Sequence, residues 1–256
     1  MDLRLTFNED AANYDKMRPS YTKELFEDII AYSHLNSEKN ALEIGVGTGQ
    51  ATRPFINTGC RLTAVELGKD MARFTKEKFS AFPTFDVIND DFESVDMPEN
   101  HYDLIYSASA FHWIPQEAGY TKVRNLLKSG GALALFWNHP SYGEDEFFAA
   151  MQEVYKRYDP TSKSRHFREE DCAETAGTIA KYGFADVGYR LYHQTRPFDA
   201  PQYMLLLNTY SDHRAMVEET RLPLETDLSN VINRFGGQIE IRDTIDLYLA
   251  RKPAIN

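Results

Sequence analysis

The stretch that decides the fold is Ala41-Leu-Glu-Ile-Gly-Val-Gly-Thr-Gly-Gln50. A short apolar run enters three glycines at alternating positions, and a helical pattern follows. Such a turn lets the backbone pass close to a ligand and directs the first amides of the helix toward it. Gln50 stands where a dinucleotide-binding turn, G-x-G-x-x-G/A, needs its third small residue. The turn therefore predicts a ligand site at a strand end, with a purely structural turn as the alternative.

Glu43 is an unusual residue in the buried strand that leads into this turn. A buried carboxylate needs partners, and two interpretations are open. Glu43 either accepts hydrogen bonds from a helix-terminus or loop amide, or it organises the turn and faces a cationic group of the ligand.

Around this turn, short apolar or β-prone runs alternate with amphipathic segments up to about residue 138. The predicted strands are Ala41–Ile44, Leu62–Glu66, Phe85–Ile88, Tyr102–Ser107 and Ala132–Trp137. The predicted helices are Gln50–Asn57, Lys69–Phe79 and Gln116–Leu127, and an earlier one covers Ser20–Ser33. Strands buried on both faces are continuously apolar, so this alternation predicts a doubly wound α/β fold with a parallel sheet.

Two further acidic positions follow the next predicted strands. Glu66 could accept two hydrogen bonds from a ribose diol, although a strand-end glutamate is usually just solvated. Asp91 could accept the amino group of an adenine and Phe92 could pack on its ring, whereas a plain turn rich in Asp and Asn is the alternative. Ligands bind at the carboxyl ends of strands in open α/β sheets, so the three positions together favour one site.

The region after residue 138 has a different pattern. We predict helices over Glu144–Tyr158, Glu169–Tyr182, Pro201–Tyr210 and Leu224–Phe235, and strands over Val187–Arg196 and Gln238–Leu249. Two helices thus lie between the last two strands, and we expect them to form a lid.

The composition restricts the class of protein. The 256 residues carry 28 Lys and Arg against 39 Asp and Glu, a net charge of −11, which argues against binding to nucleic acid or to an anionic membrane. The two cysteines, Cys60 and Cys172, lie far apart and favour a reducing compartment without disulfides. No signal-peptide pattern, no membrane-spanning run and no metal-ligand spacing stands out. We therefore expect a cytoplasmic protein without a metal site, a monomer or homodimer.

Several segments together resemble the class I S-adenosylmethionine-dependent methyltransferases. They are Glu43-x-Gly-x-Gly-x-Gly, Glu66, Asp90-Asp91-Phe92, Tyr102-Asp-Leu-Ile-Tyr-Ser-Ala-Ser-Ala-Phe-His-Trp113 and Leu126-Leu-Lys-Ser-Gly-Gly131. The chain is similar to the small-molecule subgroup that includes the trans-aconitate methyltransferases, which carry a comparable Ala-x-x-Tyr-Asp-x-x-Arg-Pro-x-Tyr segment, here Ala11 to Tyr21, and a His-Trp after the fourth strand. The likeness is clear over about residues 7–138 and looser over the C-terminal third.

The resemblance implies a Rossmann-like, mostly parallel seven-stranded sheet with an antiparallel last strand and a helical lid. We predict one domain over residues 1–256. It comprises an N-terminal flap and helix (1–35), a cofactor-binding core (36–138) and a region that completes the sheet (139–256), with the lid inserted at about 200–235.

The resemblance also implies S-adenosylmethionine as cofactor, S-adenosylhomocysteine as its product, and a small-molecule acceptor. The implied cofactor-binding residues are Tyr14, Arg18, Glu43, Gly45, Gly47, Gly49, Glu66, Leu67, Asp91, Phe92, Ser107 and Ala108. The predicted acceptor pocket consists of His112, Trp113, Tyr203 and Tyr210.

His112 is the candidate catalytic residue, either as a general base or as a ring that orients the acceptor, and packing beside Trp113 is the commoner outcome for such a histidine. Two other functions stay open at this point. One is a nicotinamide-dependent oxidoreductase, which Gln50 disfavours, and the other is a protein that binds S-adenosylmethionine without turnover.

Overall fold

The fold is an α/β arrangement around one seven-stranded sheet. The computed structural model describes residues 10–141, 143, 145–159 and 167–254. The strands are β1 (Asn40–Ile44), β2 (Arg61–Glu66), β3 (Phe85–Asn89), β4 (Tyr102–Ala108), β5 (Leu127–Ser141), β6 (Ala185–Asp199) and β7 (Gln238–Arg251). They are ordered β3-β2-β1-β4-β5-β7-β6 across the sheet.

The helices connect these strands. They are α1 (Ala11–Met17), α2 (Lys23–Ser33), α3 (Thr52–Ile56), α4 (Lys69–Lys78), α5 (Gln116–Leu126), α6 (Glu146–Tyr158), α7 (Glu170–Lys181), α8 (Ala200–Leu207), α9 (Ser211–Ala215) and α10 (Glu218–Arg234). A single 3-10 turn, Phe111–Trp113, follows β4. None of the helices described is long and apolar enough to cross a membrane.

The first five strands run parallel, as predicted. β1 pairs in parallel with β2 and β4, β2 with β3, and β4 with β5. The last strands are antiparallel. Near the start of β5, Gly130 donates its N–H to the carbonyl of Lys252, just past β7, at 3.0 Å. Lys252 donates its own N–H to the carbonyl of Gly131 at 2.9 Å. The predicted mostly parallel seven-stranded sheet with an antiparallel last strand is therefore confirmed.

Apolar burial on both faces explains why the central strands form. In β4 every residue except Ala108 is buried, and in β1 burial is complete from Ala41 onward. Aromatic rings fill the space between the sheet and its helices: the centroids of Phe55 and Tyr106 lie 4.2 Å apart, and Phe136 stacks with Tyr106 at 6.5 Å. This packing places the carboxyl ends of the parallel strands along one edge.

The chain divides into two compact units. As far as they are described, residues 19–138, 168–192 and 245 onward form what we call the sheet unit, and residues up to 18, 139–167 and 193–244 form the helix-rich unit. The helix-rich unit has its own core, which includes Met17, Met151, Tyr203, Leu206, Leu224, Leu228 and Ile232. The predicted single domain and its boundaries stay predictions, and residues 1–9 of the predicted flap lie outside the described residues.

The sheet unit holds both cysteines. Cys60 and Cys172 are unpaired thiols with no exposed surface, and burial raises the pKa of each. They pack as small apolar side chains.

Two predictions about the helices after β6 were wrong. Three helices, not two, lie between β6 and β7, because the five-residue helix α9 is too short to show a periodic pattern. The last of them, α10, begins at Glu218 and not at Leu224. Its first turn bonds back to the carbonyl of Val217, so Pro223 lies inside the helix, where it removes one backbone hydrogen bond and its ring crowds the preceding turn. Helix α1 also forms where only a flap was predicted.

Candidate active site

The glycine turn between β1 and α3 has a backbone that only glycine adopts easily. Gly45, Gly47 and Gly49 have φ values of +69°, +56° and +81°, in the left-handed region. A Cβ on Gly45 would lie 2.5 Å from the Cβ of Ala110, and one on Gly49 would run into the ring of Phe79. The turn therefore needs glycine for both its conformation and its close packing.

Glu43 lies beneath the turn and is only 1% exposed. Its Oε2 accepts hydrogen bonds from the hydroxyls of Thr52, at the start of α3, and Tyr106, in β4, both at 2.7 Å. The carboxyl group thus links β1 to the helix that follows the turn and to the neighbouring strand. These contacts support the organising interpretation, and contact with a ligand stays a prediction.

We expect Glu43→Gln to change how stability depends on pH. Burial raises the pKa of Glu43 from the ordinary 4.5 to about 7 in the folded chain. Between these values the unfolded chain has lost the proton that the folded chain still holds, so the wild-type free energy of unfolding falls as pH rises. Glutamine does not ionise and keeps one acceptor oxygen. Over this range the variant should therefore gain roughly 3 kcal/mol relative to wild type in urea unfolding.

Glu77→Gln is the matched control, because Glu77 is exposed on α4. It should leave the pH dependence of unfolding unchanged. Burial also raises the pKa of Glu66, and the charge of Glu66 contributes to the raised pKa of Glu43. Because Glu66 is present in every protein compared, the difference between the curves reports removal of the Glu43 carboxyl together with its interaction with Glu66. Parallel pH curves for wild type and Glu43→Gln would contradict the assignment.

Glu66, at the end of β2, holds the backbone of two loops. Its Oε2 accepts the N–H of Gly47 in the glycine turn, and its Oε1 accepts the N–H of Gly68, both at 2.8 Å. Burial raises the pKa of this half-buried carboxyl, and the two amides oppose that shift. Asn89 donates to the carbonyls of Glu66 and Leu67 at 2.8 and 3.0 Å. Asn89 therefore fixes the backbone that carries two predicted ligand contacts.

Asp91 and Phe92 follow β3. The Oδ1 of half-buried Asp91 accepts the N–H of Glu93 at 3.0 Å, so part of its acceptor capacity closes its own turn. The ring of Phe92 is only 5% exposed, and the ammonium of Lys122 lies 5.2 Å from its centroid. Their predicted adenine contacts remain predictions.

The end of β4 joins three neighbouring segments. Ser107 is fully buried and donates to the carbonyl of Ile44 at 2.9 Å, whereas Ala108 is half-buried. Ser109 has a φ of +53°, and its hydroxyl lies 3.0 Å from the hydroxyl of Tyr21. Ser107 and Ala108 were both predicted to bind the cofactor, and Ala108 is the better placed of the two for contact through its side chain.

His112 and Trp113 lie in the 3-10 turn after β4. Their ring centroids are 5.0 Å apart, and the side chain of His112 is exposed. The indole N–H of Trp137, in β5, donates to Nδ1 of His112 at 3.0 Å. The turn and the neighbouring strand therefore form a group of three rings within the sheet unit.

Four predicted residues lie in the helix-rich unit. The guanidinium of Arg18 lies over the rings of Tyr14 and Tyr210, at 5.0 and 4.5 Å from their centroids, and donates to the carbonyl of Thr209 at 2.7 Å. Tyr203 is only 2% exposed and packs in the core of this unit. Arg18 is thus held between two of the predicted residues, while Tyr203 has a packing role.

Sequence reasoning missed Asn89, Tyr21, Ser109 and Trp137. Asn89 and Ser109 each stand directly at or after a strand end, which is a usable signal. Tyr21 closes the segment Ala11 to Tyr21 that carries part of the resemblance, but no role was assigned to it, and Trp137 reaches the site only through tertiary packing. Among the residues described, no group of three or more His, Cys, Asp or Glu side chains could hold a metal ion.

The comparisons with known proteins agree with this geometry. The family described as "Methyltransferase domain" matches residues 42–135, from β1 to β5. An uncharacterized methyltransferase of Bacillus cereus is 31% identical over 172 residues, which cover 64% of this chain and 76% of the relative. The chain belongs to the class I S-adenosylmethionine-dependent methyltransferases.

Solved structures share the fold of this methyltransferase. A protein described as a type II methyltransferase from Anaeromyxobacter dehalogenans matches with a TM-score of 0.65 at 17% identity, covering 93% of this chain and 99% of that one. Phosphoethanolamine N-methyltransferase 2 of Haemonchus contortus, solved with phosphomonomethylethanolamine and S-adenosylhomocysteine, matches at 0.57 and 14% identity, covering 99% and 60%.

The cofactor of this methyltransferase is S-adenosylmethionine. The residues at the strand ends fit that group. The turn at Gly45 and Gly49 has no room for a Cβ and brings bare backbone to the edge of the sheet. Glu66 offers a half-buried carboxylate at the next strand end, and a carboxylate has about four lone-pair positions for hydrogen bonds.

Proposed function

We propose that this methyltransferase transfers the methyl group to an oxygen or nitrogen atom of a small-molecule acceptor, with carboxylates among the candidates, by in-line displacement. The observation that carries the proposal is the placement of four loops. The carboxyl ends of β1, β2, β3 and β4 share one edge of the sheet. The glycine turn follows β1, Glu66 ends β2, Asp91 comes after β3, and the 3-10 turn Phe111–Trp113 follows β4.

The cofactor would be held by residues of successive strand ends. Gly45, Gly47 and Gly49 would contact its methionine part, and Glu66 its ribose hydroxyls. The other proposed contacts within the sheet unit are Leu67, Asp91 and Phe92 at the adenine, Ser107 and Ala108 near the sulfonium, and Glu43 behind the turn. Contacts of Tyr14 and Arg18 with the cofactor carboxylate stay predictions.

For the acceptor, we propose contacts with His112 and Trp113, in the sheet unit, whereas contacts with Tyr203 and Tyr210 stay predictions. Aromatic rings of this kind give an apolar wall with a few polar atoms, which suits a small molecule. The net charge of −11 supports a small molecule over a nucleic acid or a membrane surface. Unpaired, buried Cys60 and Cys172 support a cytoplasmic location, and the active form would be a monomer or homodimer.

Methyl transfer requires the protein mainly to align the acceptor atom with the methyl group. The cofactor, when bound, supplies a methyl group already activated on a sulfonium. The residues of this chain align the acceptor atom and exclude water, and positioning of this kind lowers a barrier by several kcal/mol, about 7–11 at best. A general base is needed only for an acceptor that arrives protonated.

Calorimetry with S-adenosylhomocysteine tests the cofactor site, and we expect saturable binding well below the millimolar range. Transfer of a radiolabelled methyl group across a panel of carboxylic acids, phenols and amines then tests turnover and the acceptor class. The same assay includes RNA, DNA and protein samples, and labelling only of these would overturn the proposed acceptor. Binding without transfer to any member would favour a protein that binds the cofactor without turnover.

A further inference from the structure

The hydrogen bond between Trp137 and His112 fixes which nitrogen of the imidazole carries the proton. Nε1 of Trp137 lies 3.0 Å from Nδ1 of His112. An indole N–H can only donate, so Nδ1 must be the acceptor. In the neutral ring the proton is then on Nε2, because one nitrogen donates and the other accepts.

Trp137 is held from its other side by buried groups. Its backbone N–H donates to Oδ1 of Asp246 at 3.2 Å, and the hydroxyl of Tyr248 donates to Oδ2 of the same carboxylate at 2.8 Å. The ring of Tyr248 meets the indole edge-on at 5.8 Å. Asp246 and Tyr248 are 4% and 2% exposed, so the indole is anchored in the sheet while His112 lies at its surface.

We propose that Trp137 is a positioning residue that holds His112 in its Nε2–H form, so that His112 donates a hydrogen bond to the acceptor and does not remove a proton from it. This inference rests on the proposed function for the location of the acceptor. With Nδ1 accepting from Trp137 and Nε2 protonated, the neutral ring has no lone pair left to take a proton.

The consequence concerns the acceptor. An acceptor that needs no proton removed suits this arrangement, and a carboxylate is such a group at neutral pH. Its attacking oxygen would form the bond to the methyl carbon while the bond from that carbon to the sulfonium sulfur breaks, with the electron pair going to sulfur and neutral S-adenosylhomocysteine leaving. No proton has to leave, so His112 keeps the one it holds. A phenol or alcohol would instead need a base that His112, in this form, does not supply.

Nitrogen-15 NMR of the histidine rings of the full-length protein tests the inference without any acceptor. We expect His112 in the neutral form to show a protonated Nε2 and an unprotonated Nδ1. The spectrum should contain two indole N–H signals, because the chain has only two tryptophans, and one of them should correlate with Nδ1 of His112 through the hydrogen bond. A protonated Nδ1 in the wild type would overturn the inference even if no variant folds.

Trp137→Phe removes the donor and keeps a ring against Tyr248. In this variant the Nε2–H preference of His112 should be lost, giving a mixture of both neutral forms. Trp113→Phe is the matched control: it removes the other indole beside His112 and should leave the His112 signals in the Nε2–H form. Unchanged His112 signals in Trp137→Phe would also overturn the proposal.

Calorimetry with S-adenosylhomocysteine on both variants shows whether the fold and the cofactor site survive, and it separates this inference from the proposed function. If the wild type does not bind S-adenosylhomocysteine, the cofactor assignment fails whatever the tautomer is. In the acceptor panel, transfer to carboxylic acids supports the inference. Transfer to phenols or alcohols that His112→Ala abolishes would contradict it, since it would make His112 the base.

Discussion

Alanine in place of Glu66 is expected to lower the affinity for S-adenosylhomocysteine by at least about 100-fold. The carboxylate holds the amides of Gly47 and Gly68 and is proposed to accept two ribose hydroxyls. Each hydrogen bond to a charged group is worth about 1.5–3 kcal/mol, and every 1.4 kcal/mol changes affinity tenfold. Calorimetric titration of wild type and variant measures the loss.

Two comparisons sharpen this test. Glu77→Ala is the control, because it removes an exposed glutamate from α4 and should leave the affinity unchanged. Adenosine should bind the wild type better than 2′,3′-dideoxyadenosine, whereas Glu66→Ala should not distinguish them. If Glu66→Ala lost affinity but still preferred adenosine, Glu66 would organise the loops without contacting the ribose.

Gly45→Ala is expected to destabilise the folded chain by about 2–5 kcal/mol and to abolish cofactor binding. A left-handed backbone costs a residue with a Cβ about 1–2 kcal/mol, and overpacking adds about 1–3 kcal/mol. The added Cβ would lie 2.5 Å from that of Ala110, so the turn and the segment after β4 cannot both keep their positions. Urea unfolding gives the stability, and calorimetry with S-adenosylhomocysteine gives the binding.

Gly130→Ala separates the cost of the left-handed backbone from the cost of overpacking. Gly130 has a similar φ of +75°, but no atom lies within 4 Å of the position its Cβ would take. It should lose only about 1–2 kcal/mol and keep its affinity for the cofactor product. Equal losses in the two variants would mean that the contact with Ala110 has no cost.

The fold could largely be predicted because its signals are local. Buried runs on both sides of the glycine turn identified β1 and β2, which start at Asn40 and Arg61, one residue before the predicted starts. β5 begins five residues earlier than predicted, at Leu127, because its first part is paired with the chain after β7. The polar sequence Lys-Ser-Gly-Gly at that point carries no sign of a partner more than a hundred residues away.

Only those residues of the candidate site that lie at strand ends could be predicted from the sequence. Glu66 was identified by its place at a strand end, but the two amides that it accepts lie in different loops and depend on the packed sheet. His112 was identified by its neighbour in sequence, Trp113. Its hydrogen-bond partner is Trp137, which comes from the adjacent strand, and only the pairing of β4 with β5 brings the two rings together.

Because both cysteines are buried, the rate of thiol labelling measures local opening of the native protein. Cys60 and Cys172 are the only thiols in the chain; both have no exposed surface, and both belong to the sheet unit. A thiol reagent can therefore react only when the structure around one of these thiols opens. Labelling rates with and without S-adenosylhomocysteine thus measure how strongly the cofactor product holds the sheet unit closed.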